Sequence, residues 1–253
     1  MRALSYLLAV IAGAAVAAAV LIYLPVGRTQ QGLSAGQTKA VEGLISAYLD
    51  KHPELVAKAL DQLQEAQKTA SREATRTAIR DKASAIFRDP ADQVLGNPQG
   101  DVTIVEFFDY RCPYCKRVTP NLMATLKDDG HVRLVLKEFP ILGPNSVLAA
   151  RAAIASIKQD KYAAFHLALL ASQSALDEES IMSIAEATGI DTQRLAADMK
   201  DPAIDALVKK NYELARELKI DGTPAFIIGD DLVPGAIDKP ALEELIKHAR
   251  SQG

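Results

Sequence analysis

Cys112 and Cys115 are the only cysteines in 253 residues, and only Pro113 and Tyr114 separate them. They follow Val105-Glu106-Phe107-Phe108-Asp109-Tyr110-Arg111. An apolar, β-branched and aromatic run of this kind reads as a buried strand, and Pro113 suits the first turn of a helix. The chain must therefore build a strand-to-helix junction that carries both thiols. A helix N-terminus offers partial positive charge and free N–H groups, which stabilise a thiolate. Cys112 is expected to face solvent as the nucleophile, and Cys115 to turn inward as the resolving thiol. Pro113 removes one N–H, and Tyr114 brings no positive charge, so both tune the redox poise. Zinc would need two more ligands, and His52, His131, His166 and His248 have no paired spacing. A structural disulfide, or transient copper(I) held by the two soft sulfurs without turnover, is the alternative use of the pair.

A second signal lies more than 100 residues downstream, at Asp221-Gly222-Thr223-Pro224-Ala225-Phe226. Thr223 and Pro224 ahead of an apolar strand suit a cis-proline loop set against the cysteines. Glu106 lies inside the apolar strand, where a carboxylate is costly unless protonated or paired. Lys137, late in the next strand, is the expected partner, and the pair could move protons during exchange. The alternative is an edge strand with Glu106 in water. Asp109 reads as a turn residue.

Around these signals the chain has a readable order. Strands are expected over Val102–Phe108 and Val132–Phe139, with a helix from Pro113 to about Lys127 between them. A helical block runs from about 145 to 218, with breaks near Gln159-Asp160, Ser174-Ala175, Gly189 and Asp201-Pro202. A hairpin of Ala225–Ile228 and Leu232-Val233 follows, then a helix from Lys239 to Arg250. The spacing predicts helix upstream, from Gln37 to about Arg88 with a break at Pro53. Val41, Leu44, Ile45, Tyr48 and Leu49 form one amphipathic face. Val56, Leu60 and Leu63 continue at heptad spacing, which fades to alanine at Ala70 and Ala74. Residues 37–88 are expected to act as an oligomerisation stalk. The expected domains are a signal or anchor over 1–27, a helical region over 28–88 and a redox domain over 89–253.

Composition narrows the compartment and the partners. Arg2 is followed by an apolar run from Ala3 to Leu24, broken only by Ser5 and Gly13. It is long enough to span a membrane, and Ala17-Ala18-Ala19 could serve as a cleavage site. Either way the remainder is expected to be exported, to the periplasm or a similar compartment, with inner-membrane tethering if the run is kept. There a dithiol can act as a redox couple. A net charge of −3 gives no reason to expect nucleic acid.

The combination of Phe107-Phe108-Asp109-Tyr110-Arg111-Cys112-Pro113-Tyr114-Cys115-Lys116, Thr223-Pro224 and the helical block resembles the DsbA-like thiol–disulfide oxidoreductases. The resemblance covers roughly residues 94–250. It implies an α/β thioredoxin fold with an inserted helical domain. It also implies a nucleophilic Cys112, a resolving Cys115, a cis-Pro224, and a buried acid and nearby lysine at Glu106 and Lys137. The implied cofactor is none beyond the redox-active disulfide, and the implied partners are protein thiols or disulfides and a membrane redox partner. Tyr114 and Thr223 depart from the classical oxidase pattern and look more like the isomerases and the ScsC proteins. The segment Ile45 to Leu55 is similar to the N-terminal region of ScsC-like and Com1-like proteins, which drives oligomerisation in some of them.

Overall fold

The computed structural model describes residues 33–252. The apolar signal or anchor expected over 1–27 lies outside the described residues. Among those described, no helix is long and apolar enough to cross a membrane.

Helix α1 (Ala35–Lys51) starts at Ser34, whose side chain caps the Gln37 amide while the Gln37 side chain returns to Ser34. This reciprocal capping satisfies donors that a helix start leaves free. Pro53 opens α2 (Pro53–Asp81), the position where its missing N–H costs nothing. The chain divides into two compact units after Glu65, inside α2. In the first unit no residue of α1 is buried. Its apolar side chains stand in solvent, with Leu44 71% exposed and Leu60 and Leu63 each 54% exposed.

The second unit begins with the rest of α2. Ile79 there, and Ile86 in α3 (Ala83–Phe87), are fully buried in a core cluster. Arg76 pairs with Asp231 at 2.9 Å. The stretch expected to be a stalk over 37–88 therefore splits, because Ile79 and Ile86 restore apolar content after the alanines. Its second half belongs to the second unit, with Ile79 and Ile86 in that unit's core.

A five-stranded sheet carries this unit, formed by β1 (Gln93–Gly96), β2 (Val102–Phe108), β3 (Val132–Glu138), β4 (Ala225–Ile228) and β5 (Asp231–Pro234). The order is β1-β3-β2-β4-β5. Only β2 and β3 run parallel, joined through α4 (Pro113–Asp129). Both are buried on two faces, which is why they read as near-continuous apolar runs. Ile104, Phe108, Leu134 and Leu136 face one core cluster, and Val105, Phe107 and Val135 face the other. Strand β1 is a four-residue edge that the turn-rich sequence hides. It ends at Gly96, where φ is +71° and a Cβ would sit 2.6 Å from the Val132 carbonyl oxygen.

Between β3 and β4 the chain inserts α5 (Pro144–Ala155), a 3-10 turn, α6 (Tyr162–Ala171), α7 (Glu178–Ala187), α8 (Thr192–Asp198) and α9 (Pro202–Glu217). Asp177, Asp191 and Asp201 cap α7, α8 and α9 by accepting from the amides of Ser180, Arg194 and Ala203. The last helix, α10 (Lys239–Gln252), buries Leu242 and Ile246.

Candidate functional site

The site begins where β2 ends. Asp109, only 1% exposed, organises the turn into α4. Its carboxylate accepts from the Arg111 amide at 2.7 Å, from Ser146 Oγ at 2.8 Å and from the Leu142 amide at 2.9 Å. Its carbonyl accepts from the Cys112 amide at 3.0 Å. One side chain thus fixes the loop that presents Cys112 and ties it to the start of the helical insertion.

Cys112 is the N-cap of α4, and both cysteines are free thiols. The expected solvent-facing nucleophile is instead buried, only 3% exposed. The cis Thr223–Pro224 peptide brings the Thr223 carbonyl over it, 3.2 Å from Sγ. That bond is donated by the thiol and is lost on ionisation. The Cys115 thiol is the main donor that holds the Cys112 pKa down at about 5, against burial, which works the other way. Thr223 and the backbone amides of Cys115 and Tyr114 add to it. Those amides make no cap hydrogen bond to the sulfur of the thiol form, so their effect is on the charged form. Pro113, at the first position of the helix, has no N–H to add.

Cys115 is fully buried, and burial pushes its thiol well above the ordinary range. Its hydrogen bond to Cys112 and the charge of Glu106 act in the same direction. The acidities of two sulfurs one helical turn apart are thus pushed in opposite directions.

Glu106 is 2% exposed, and its Oε1 has no hydrogen-bond partner. Burial raises its pKa to about 8, and the Cys112 charge adds to the rise. The expected pairing with Lys137 does not form. Glu106 stands opposite Leu136, whereas Lys137 stands opposite Phe107. Successive strand residues point to opposite faces, so the two side chains lie on different sides of the sheet. Lys137 instead donates to the Asp92 carboxylate and to the Ala85 carbonyl, the latter at 2.6 Å. It anchors α3 and β1 on the face away from the cysteines.

Tyr114 is 53% exposed. The Arg117 guanidinium lies over its ring, 4.9 Å from the centroid. The position expected to carry no positive charge therefore holds a cation in place. Pro224 and Thr223 also line a cavity of about 340 Å³ with Ile220, Leu232 and Pro234. A cavity of about 1040 Å³ is lined by Arg88, Asp89 and Arg133 among others and by neither cysteine.

A buried polar cluster was missed in the sequence. Tyr110 and Tyr162 donate to Glu138 Oε1 at 3.0 and 2.7 Å. The Tyr110 hydroxyl lies 3.0 Å from His166 Nδ1. Burial raises Glu138 to about 8 and lowers His166 to about 3. His166, a zinc candidate on residue type alone, is a neutral core residue. Glu138 ends an apolar strand as Glu106 nearly does, and that shared pattern was the available signal. Among the described residues no group of three or more His, Cys, Asp or Glu could hold a metal.

The thioredoxin family model matches residues 88–248. A probable disulfide bond formation protein D of Bacillus anthracis is 30% identical over 167 residues, covering 60% of this chain and 77% of that protein. The crystal structure of a thioredoxin-like oxidoreductase from Silicibacter pomeroyi is 44% identical, covers 66% of this chain and 97% of its own, and has a TM-score of 0.65. Proteus mirabilis ScsC in a transitional conformation is 30% identical, covers 89% of this chain and 100% of its own, and has a TM-score of 0.65. The chain spans about a quarter of the Na(+)/H(+) antiporter NhaA 3 of Salinispora tropica, 24% of its length at 29% identity.

Burial gives Glu106 a measurable signature. A carboxyl whose folded pKa, about 8, lies above its ordinary 4.5 stabilises the fold while protonated. That contribution is full below pH 4.5 and is lost as pH rises through about 8. Between pH 5 and 8 the reduced wild-type chain should lose on the order of 3 kcal/mol relative to Glu106→Gln in urea unfolding. Parallel stability profiles for the two chains would contradict the assignment.

Proposed function

This chain belongs to the thioredoxin family, and on that premise we propose that it is an exported, DsbA-like thiol–disulfide oxidoreductase acting on protein substrates. Its Cys112-Pro113-Tyr114-Cys115 dithiol forms or rearranges their disulfides. The observation that carries this reading is the geometry of the two sulfurs: Cys112 at the N-cap of α4 against the cis Thr223–Pro224 peptide, and Cys115 fully buried one helical turn on. The apolar run Ala3–Leu24 supports export, where a dithiol can cycle.

The reaction runs in two exchanges. The Cys112 thiolate attacks one sulfur of a substrate disulfide. A Cys112–substrate bond forms, the substrate S–S bond breaks, and the second substrate sulfur leaves as a thiolate. Cys115 then loses its proton and attacks Cys112, releasing the substrate sulfur and closing a Cys112–Cys115 disulfide. The substrate gains two electrons and the chain loses two. Run backwards, the same steps oxidise a substrate dithiol, and a membrane redox partner resets the pair. Glu106, with a pKa of about 8, receives the Cys115 proton only in its ionised form. Lys137 takes no part, since it lies across the sheet from Glu106. Thr223 and Pro224 form the backbone edge against which a substrate segment would pair. A stabilised Cys112 thiolate is also a good leaving group, which favours giving up a disulfide over holding one.

We further propose that the first unit self-associates. Leu44, Ile45, Tyr48, Leu60 and Leu63 are exposed apolar side chains at helical spacing, an arrangement that water disfavours.

Cys112→Ser should lower exchange on scrambled or reduced ribonuclease to background, while Cys115→Ser should accumulate mixed disulfides visible on non-reducing gels. Full activity in Cys112→Ser would overturn the mechanism, and stoichiometric copper(I) binding without turnover in the wild type would favour the metal-binding alternative. Removing residues 33–65 should leave residues 66–253 folded by circular dichroism and lower the mass in light scattering. The same number of subunits with and without 33–65 would remove the self-association proposal.

A further inference from the structure

The surface beside Cys112 is cationic, and its cations make no ion pair among the described residues. Arg111 precedes the nucleophile, and Lys116 and Arg117 are the fourth and fifth residues of α4. With Pro113 and Gln173 they line an open cavity of about 440 Å³. Their recorded contacts are neutral. Arg111 donates to the Leu142 carbonyl at 2.9 Å, Lys116 to the Ser172 carbonyl, and Arg117 covers the Tyr114 ring. Among the described residues none of the three makes an ion pair. Asp109 is the acid that acts on Lys116, but it is buried and its oxygens are taken by Arg111 N, Ser146 and Leu142 N.

This arrangement is costly for the isolated chain. Partial burial lowers the Lys116 pKa, and the Arg111 charge lowers it further. The helix N-terminus adds positive potential of the same sign. A second cavity, at Thr223–Pro224, is lined by Ile220, Ala225, Leu232 and Pro234 together with the charged Lys219 and Asp221. A substrate segment that reaches the sulfur along α4 therefore meets cations that make no ion pair among the described residues.

We propose that the Arg111–Lys116–Arg117 cleft selects protein segments with acidic residues flanking the reacting cysteine. This rests on the oxidoreductase reading and names its substrate class. Carboxylates in the cleft supply the missing counter-charge, raise the encounter rate and hold the substrate sulfur in line with the thiolate.

The test uses the reduced full chain and two synthetic peptides, each with one internal disulfide, identical except for Asp/Glu or Lys/Arg flanks. At low ionic strength the acidic peptide should be reduced about 5- to 10-fold faster, the scale of two or three partly exposed ion pairs. Salt above roughly 0.5 M should bring the ratio toward one. Arg117→Glu should bring it to one or below at low salt, and Arg117→Gln is the milder variant if the reversal impairs folding. The ratio compares two peptides on one thiolate, so a change in Cys112 reactivity cancels. Equal rates for both peptides on the wild type at low salt would overturn the cleft proposal and leave the oxidoreductase reading intact. Reduction of neither peptide would overturn both.

Discussion

A negative charge on a buried sulfur is unfavourable unless donors are already in place, and the redox unit is arranged around that requirement. Cys112 has such donors in the Cys115 thiol, in Thr223 and in the first free amides of α4. The Cys115 thiol and the amides lie in the first turn of α4, whereas Thr223 is 111 residues away. Asp109 fixes the turn that carries Cys112, and the cis Thr223–Pro224 peptide sets a carbonyl that accepts from Cys112 while it is a thiol. Glu106 sits behind the pair as an acid that burial keeps largely protonated near neutral pH. A charged carboxylate there would oppose the thiolate. Glu106 must therefore lose its own proton before it can take the one that Cys115 gives up.

The period of two along a β-strand decides which side chains can share this environment. Glu106 and Glu138 have the same parity in register and share the face that carries the cysteines, while Lys137 faces the other way and pairs with Asp92. The sequence showed Glu106 and Lys137 as an acid and a base near the ends of neighbouring strands. It did not show the register between those strands, and an offset of one residue separates a proton-transfer pair from two unrelated groups.

The strand-to-helix junction was legible from the apolar run into Cys112 and from Pro113. The helical insertion was legible from turn residues that lie between its helices. The threonine–proline step was legible as a candidate cis bond. The burial of Cys112 was not, because the group covering it is a distant carbonyl that no local pattern encodes. Strand β1 was hidden because Gln93–Gly96 is short, lies at an edge and ends in glycine. The reach of the stalk was overstated because Ile79 and Ile86 are isolated among polar neighbours, and only tertiary packing shows them as core. Asp109 was legible as a turn residue, but not as the group joining the cysteine loop to Leu142 and Ser146.

The account depends most on Cys112 being a thiolate at neutral pH. Titrating the reduced chain by thiolate absorbance at about 240 nm tests this directly. The expected result is a single transition with its midpoint near pH 5, absent in Cys112→Ser. A midpoint near 9, the ordinary thiol value, would contradict it.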